Sequence, residues 1–448
     1  MRRILRSARS ARAALAAATG AALLTGLTLA LPSSSSAAGV TVHPGDFTGY
    51  GFDKCMTPTQ AQMDVWWETS PYQAIGVYTS GRNRYCDVQP ELTSRWVATQ
   101  AATGWRILPI TVGRQAACSP VERYKKWTRI ANDPTGGFRK ARAQGVEESA
   151  ESVAAVQALG INRGSTLWLD IEWYDRSKTR CDNSTLAFIE SWSKATRAAG
   201  YKAGMYSSAS AAILSASRRL DVDPSWEGPD QLWFAWGNGR NDVEMGSYGN
   251  ESHWPQGLMH QYELDVFASY GGVGMDIDKN WLDVGKGTRP GRQGKRCGTS
   301  LDHAAYPRLR EGAVDERVEA VQCHLRHAGY YQGKIRPEFN GKLAASLAGF
   351  QTDRGLRADG TTNRRTWVSL LARGTNRTES PVVKIGSGGP AVWRLQRALN
   401  ATRRPVPITG VFGFDTMDAV KSYQRRGGLP QTGVVDPATW DRLLAGWS

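Results

Sequence analysis

Eight short apolar runs follow one another between Tyr50 and Asp283, and a helical stretch follows each of the first five. The runs occupy 51–53, 74–78, 105–112, 166–172, 202–206, 231–236, 257–262 and 272–278. The helical stretches cover 59–69, 91–102, 137–159, 186–199 and 207–220, with Val153, Val156 and Leu159 on one face of the third. Nearly uniform apolar runs are what strands need when helices cover one face and packed side chains fill the other. The pattern predicts an α/β fold: a TIM-like β/α barrel of five β/α units plus three strands, within residues 39–284. An open doubly wound sheet is the alternative. It needs helices between the last strands, and Gly51-Phe52-Asp53 does not make the Gly-rich phosphate loop of such sheets.

Functional groups of a barrel gather at the C-terminal ends of its strands. The fourth run, Thr166-Leu167-Trp168-Leu169-Asp170-Ile171-Glu172, ends in two acids. Side chains two apart share a strand face, so Asp170 and Glu172 project together, roughly 6–7 Å apart at Cα. Asp53 ends the first run, and Asp276 and Asp278 end the eighth. Tyr78, Tyr206, Trp236 and Gln261, with Tyr262 beside it, end the second, fifth, sixth and seventh. Converging carboxylates ringed by aromatics suit glycoside cleavage. One acid protonates the leaving oxygen, and the others stabilise positive charge or activate water. Residues 39–283 hold 13 of the 17 Trp, although most Trp serve only as core. Asp53 alone reads more often as a turn or capping acid, and an acidic cluster can hold a hard cation. The six His form no ligand pair or triad, and neither a metal nor a cofactor is expected.

Gly51-Phe52-Asp53, Leu169-Asp170-Ile171-Glu172, His260-Gln261-Tyr262 and Asp276-Ile277-Asp278-Lys279-Asn280-Trp281 together resemble the family-25 glycoside hydrolases. Those are muramidases with five β/α units and three further strands. The resemblance is closer still to a glycoside-hydrolase-like domain of secreted proteins in high-GC Gram-positive bacteria. It implies that Glu172 is the general acid and that Asp170 orients or stabilises the reacting sugar. It implies that Asp53 and Asp278 complete the acidic ring, with Asp276 the alternative to Asp278. His260 departs from the family, which has Trp there.

Residues 1–38 read as a cleaved export signal. Five Arg precede an apolar stretch, and Ser36-Ala37-Ala38 is a small-residue cleavage pattern. A membrane anchor is the alternative for that segment, and no later stretch is apolar for long enough to span a bilayer. The six cysteines suggest disulfides in an exported protein. Cys297 and Cys323 are expected to pair, while Cys55, Cys86, Cys118 and Cys181 allow three connectivities. Residues 39–283 carry 24 Lys and Arg against 28 Asp and Glu, a net of −4. Residues 284–448 carry 27 against 13, a net of +14. Such a tail suits an anionic wall, and the export signal argues against nucleic acid.

Residues 285–300 read as a basic linker. Beyond it the chain repeats itself, over 301–374 and 381–448. Phe350-Gln351, Gly355-Leu356, Gly360, Thr366-Trp367 and Leu370-Leu371 return 73 residues later as Tyr423-Gln424, Gly428-Leu429, Gly433, Thr439-Trp440 and Leu443-Leu444. Each copy is expected to hold three helices, with Trp367 and Trp440 mostly core. The repeats resemble the small three-helix peptidoglycan-binding domain. The second is the cleaner copy, since it keeps Phe412-Gly413 where the first has Phe339-Asn340. The whole reads as a secreted, wall-associated monomer that cleaves a β-1,4 bond in peptidoglycan or another wall polysaccharide. A wall-binding protein with a non-catalytic barrel is the alternative.

Overall fold

A computed structural model describes residues 44–122, 128–293, 295–375, 380–402 and 404–448. The proposed export signal lies outside them. Eight strands close into one barrel in sequence order: β1 (Phe47–Asp53), β2 (Ala74–Ser80), β3 (Arg106–Thr111), β4 (Thr166–Ile171), β5 (Lys202–Ser208), β6 (Gln231–Ala235), β7 (Gly257–Tyr270) and β8 (Val273–Val284). Helices α1 (Gln60–Thr69), α2 (Ser94–Thr103), α3 (Thr135–Ala158), α4 (Thr179–Ala198) and α5 (Leu214–Val222) follow the first five. The expected five units and three strands are therefore present. Phe47, Leu108, Ile110, Trp168, Trp233, Met259 and Leu282 fill the barrel's interior.

Two expectations need correction. The eighth strand does not end at Asp278. It runs antiparallel to both neighbours, and Asp53 pairs with Asp278 in mid-strand. Asp278 reaches the mouth because the strand is reversed and long. Asp276 lies further out, exposed on the β7–β8 hairpin. The fourth helix starts at Thr179 rather than near 186. Its first turns carry Ser184 and Thr185 as buried side chains, so apolar periodicity could not mark them. Gly145 on α3 lets the two helices close up, since a Cβ there would meet the Phe188 carbonyl oxygen at 2.4 Å.

Bulges near Glu263 bend the hairpin back along the barrel's outside, where it packs on α1. The Trp66 indole N–H donates to the Val273 carbonyl at 3.0 Å, and Tyr270 meets the Trp66 ring edge-on at 5.1 Å.

Three disulfides form: Cys55–Cys86, Cys118–Cys181 and the expected Cys297–Cys323. The first two tie loops that follow β1, β2 and β3, the second to the start of α4. Removing Cys118–Cys181 by paired Ser substitution is expected to cost about 3–4 kcal/mol. Denaturant unfolding with and without reductant checks this.

Among its described residues the tail forms six helices: α6 (Glu316–His327), α7 (Gly341–Asp353), α8 (Arg364–Arg373), α9 (Pro390–Asn400), α10 (Phe414–Arg426) and α11 (Pro437–Leu444). The repeated Gln holds the turn of the repeated Gly, whose φ is +62° at Gly360 and +72° at Gly433. Gln351 accepts the Gly360 N–H at 2.9 Å and donates to the Thr361 carbonyl at 2.8 Å. Gln424 likewise accepts from Gly433 at 2.9 Å and donates to Val434 at 2.7 Å. Trp367 and Trp440 are fully buried, and each donates to a proline carbonyl, Pro307 and Pro381. Asn340 caps α7 by accepting from Leu343 N–H at 3.0 Å, a service Gly413 cannot give α10.

The stretch read as a linker is pinned at Thr288 and Pro290. Thr288 Oγ1 accepts from Thr48 N–H at 3.1 Å and donates to the Gly386 carbonyl at 2.9 Å. The Trp393 indole donates to Pro290 at 3.1 Å. The second repeat then closes the lower end of the barrel. Gln73 donates to the Ile385 carbonyl at 2.6 Å, and Lys384 is buried with its ammonium on the carbonyls of Trp67 and Ser70, over the Trp67 ring at 4.4 Å. Only Gly fits at 386, where φ is +88° and a Cβ would lie 2.6 Å from the Phe47 ring. Phe414 stacks on Trp281 at 5.5 Å, which covers an outer wall that has no helix of its own.

Candidate active site

At the mouth, alternation along each strand decides which side chains point inward. Asp53, Tyr78, Asp170, Tyr206, Gln261, Asp278 and Asn280 do so. The Gln261 amide is the hub. Its nitrogen donates to Asp53 Oδ1 at 3.1 Å and to Asp278 Oδ2 at 3.3 Å, and its oxygen accepts from the Tyr206 hydroxyl at 2.8 Å. Asn280 donates to Asp53 Oδ1 at 2.7 Å and is itself held by the Trp233 indole at 2.7 Å. The Tyr78 hydroxyl reaches Asp53 Oδ2 at 3.4 Å. Asp265, at φ +51° in the bulge, aims its N–H at Asp278 Oδ1 at 2.6 Å.

Asp170 and Glu172 stand across from this group. Gln115 fixes the strand end between them, donating to the Asp170 carbonyl at 2.9 Å and accepting from the Glu172 N–H at 2.9 Å. Asp170 is buried and Glu172 half-buried at the rim. Tyr78 and Tyr206 each feel the charges of Asp53, Asp170 and Glu172, so the acids surround one space.

Burial first, and Asp278 second, push Asp53 up to about 8 against the pull of its amide donors. Burial also raises Asp278, to about 6, with Asp265 and Glu172 adding to it while the Asp265 N–H opposes. The pair therefore holds a proton well above the ordinary carboxylate range. Folding takes up protons that the unfolded chain releases above about pH 4. This stabilisation is complete below that pH and is lost as pH rises through the folded values of about 6 and about 8. Each carboxyl contributes at most about 1.4 kcal/mol per pH unit inside its window. Asp53→Asn is expected to remove the larger part of the resulting fall in melting temperature between these values. Thermal melts across pH check it, and an unchanged slope refutes the source.

The remaining expected contacts fall elsewhere. Trp236 turns outward and packs edge-on against Tyr248 at 5.2 Å. Tyr262 also faces outward, beside Trp281. Asp276 stands apart on the hairpin. His260 is fully buried on the outer side, stacked on Phe234 at 4.4 Å, its nitrogens against the Trp236 and Asp242 carbonyls. Three residues at the mouth were given no role of their own in the sequence reading. Asn280 could have been found, being two residues from Asp278 on one strand face. Trp173 follows Glu172 and is 43% exposed. Gln115 sits in a loop and carries no signal.

The geometry defines a class: a closed β/α barrel whose mouth gathers carboxylates and tyrosines from opposite strands. Residues 65–282 match the Rv2525c-like, glycoside hydrolase-like domain, and residues 314–370 and 388–443 match the peptidoglycan-binding domain. The chain thus carries an Rv2525c-like glycoside hydrolase-like domain followed by two peptidoglycan-binding domains, and is associated with cell-wall glycan. Among solved structures, it is similar to an uncharacterized B. stearothermophilus protein, with 18% identity, 52% of this chain and 95% of that chain covered, and TM-score 0.35. It is similar to the Mycobacterium tuberculosis Tat-secreted protein Rv2525c in complex with L-tartrate, with 14% identity, 52% and 95% covered, and TM-score 0.34. The catalytic domain of endolysin ply40, from bacteriophage P40 of Listeria monocytogenes, is also similar, with 12% identity, 52% and 93% covered, and TM-score 0.29. No curated protein matches the chain.

Proposed function

We propose that the protein is an exported wall hydrolase that cleaves a β-1,4 glycosidic bond in peptidoglycan. The observation that carries this reading is the convergence of Asp53, Asp170, Glu172 and Asp278 on one mouth, in a chain with two peptidoglycan-binding domains. Glu172 donates the proton to the leaving oxygen, since it stands at the rim where substrate arrives. Asp170 beneath it stabilises positive charge on the reacting sugar. Tyr78 and Tyr206 line the floor, and Trp173 offers a sugar ring a face. Asp53 and Asp278 hold a shared proton under the reacting ring.

Asp278 is the second reading for the donor, because it is half-buried and raised to about 6. Export is supported by three disulfides, and no helix among the described residues is long and apolar enough to cross a membrane. Release of reducing ends from purified walls tests the reading, with mass spectrometry of the fragments to identify the bond. Wild type that binds walls but releases nothing refutes hydrolysis and leaves a glycan-binding barrel.

A further inference from the structure

Among the described residues, α-helices follow the first five strands and none stands between β6 and β8, so the outer strip of β1, β8 and β7 has no crossover helix of its own. The second repeat approaches this strip but does not fill it. A cavity of about 540 Å³ remains, lined on the barrel side by Tyr50, Tyr262, Tyr270 and Lys279 and on the repeat side by Lys421 and Gln431. It lies on the barrel's flank, since Tyr50, Tyr262 and Lys279 alternate with the inward residues Gly51, Gln261 and Asp278. Its size falls within the range of small-ligand sites.

We infer that this seam is a second glycan site, which takes an amino sugar bearing a carboxylate. Tyr50 and Tyr270 are half-buried and line the cavity, with their hydroxyls held, Tyr50's by the Asn241 amide at 3.1 Å and Tyr270's by Tyr72. Sugars carry the matching alternation of C–H faces and hydroxyls. Tyr270 is anchored by its hydrogen bond with Tyr72 and its edge contact with Trp66, so its ring is set before a ligand arrives. The two cations differ. Lys279 is paired with Glu263 at 2.6 Å, whereas Lys421 forms no ion pair among the described residues. Lys421 lies over Gly433, whose missing side chain leaves the ammonium's stem room against the loop. An unpaired ammonium beside phenols selects an anionic sugar over a neutral one. The Gln431 amide adds a donor and an acceptor for an acetamido group or peptide bond.

The cavity stands on geometry alone, and the choice of ligand rests on the wall reading above. Neither half of the seam makes the site by itself, so it exists only because the repeat is docked. A glycan held here also touches the lobe that carries the hydrolytic mouth.

The test is calorimetric binding of N-acetylmuramic acid, whose lactyl carboxylate is free, with neutral N-acetylglucosamine as comparison, to the full chain. Wild type and Glu172→Gln are expected to bind N-acetylmuramic acid alike, each more tightly than N-acetylglucosamine. Lys421→Glu is expected to weaken binding about tenfold or more, and Lys421→Arg to retain it. Tyr270→Ala, which leaves the charge in place, is expected to weaken both sugars. Lys421→Glu and Tyr270→Ala binding as wild type overturns the site. So does loss of binding in Glu172→Gln alone, which places the fragment in the mouth. Equal affinity for the two sugars overturns the carboxylate preference. Unchanged binding with no release of reducing ends removes the hydrolase reading and leaves this site standing.

Discussion

Glu172→Gln is expected to lower release of reducing ends from walls by about 10²–10⁴-fold, the usual contribution of a positioned general acid. Gln keeps the size of the side chain and removes the transferable proton. The backbone at this point is held by Gln115, which accepts the Glu172 N–H at 2.9 Å whatever the side chain is. Stability should therefore change by less than about 0.5 kcal/mol, as for a partly exposed side chain. Wall binding should also persist, so the loss falls on turnover. Asp278→Asn provides the contrast. If it abolishes turnover while Glu172→Gln spares it, the proton donor is Asp278 and the reading of the DxE strand is wrong.

Lys384→Glu should have the largest effect on the architecture. The native ammonium sits among the carbonyls of Trp67 and Ser70 and over the Trp67 and Trp105 rings. Burial pushes this amine well below the usual lysine range, and its hydrogen bonds to the two carbonyls are worth about 0.5–1.5 kcal/mol each. A carboxylate there faces only acceptors and ring faces, and an uncompensated buried charge costs about 3–5 kcal/mol. We expect the seam between barrel and repeat to open. Calorimetry should then show two transitions in place of one, and proteases should cut within 285–300. Lys384→Met, a hydrophobic replacement of similar length, should stay close to wild type. A single unshifted transition in Lys384→Glu would show that the barrel's base does not depend on this contact.

Much of this was legible in the residues. Strand and helix alternation gave the barrel, because buried parallel strands need unbroken apolar runs. Strand-end acids gave four of the residues at the mouth, because alternation and the barrel's polarity fix where they point. The same rule misled at Asp276, because nothing in 272–278 says that the last strand runs backward. Trp236 and Tyr262 were misplaced by one residue of parity, which is enough to turn a side chain from the lumen to the flank. The Gly-rich, basic stretch at 285–298 reads by composition as a linker. Its pinning depends on partners such as Thr48 and Gly386, which are 240 and 98 residues away from Thr288 and leave no local trace.

The base of the barrel also sets an order of events. Thr48 bonds to Asp283 across 235 residues, and Gln73 to Ile385 across 312. As the chain emerges from a ribosome or a translocation pore, its first strand waits with an open edge until the eighth arrives. Its floor waits longer, until most of the second repeat has followed. Such distant pairings make closure slow. In a beads-on-a-string protein, losing the last bead costs only affinity for the wall. Here a stop codon in the final sixty or so residues spares Lys384, Ile385 and Gly386 but removes the helices that hold them against the base of the module that lies first in the chain.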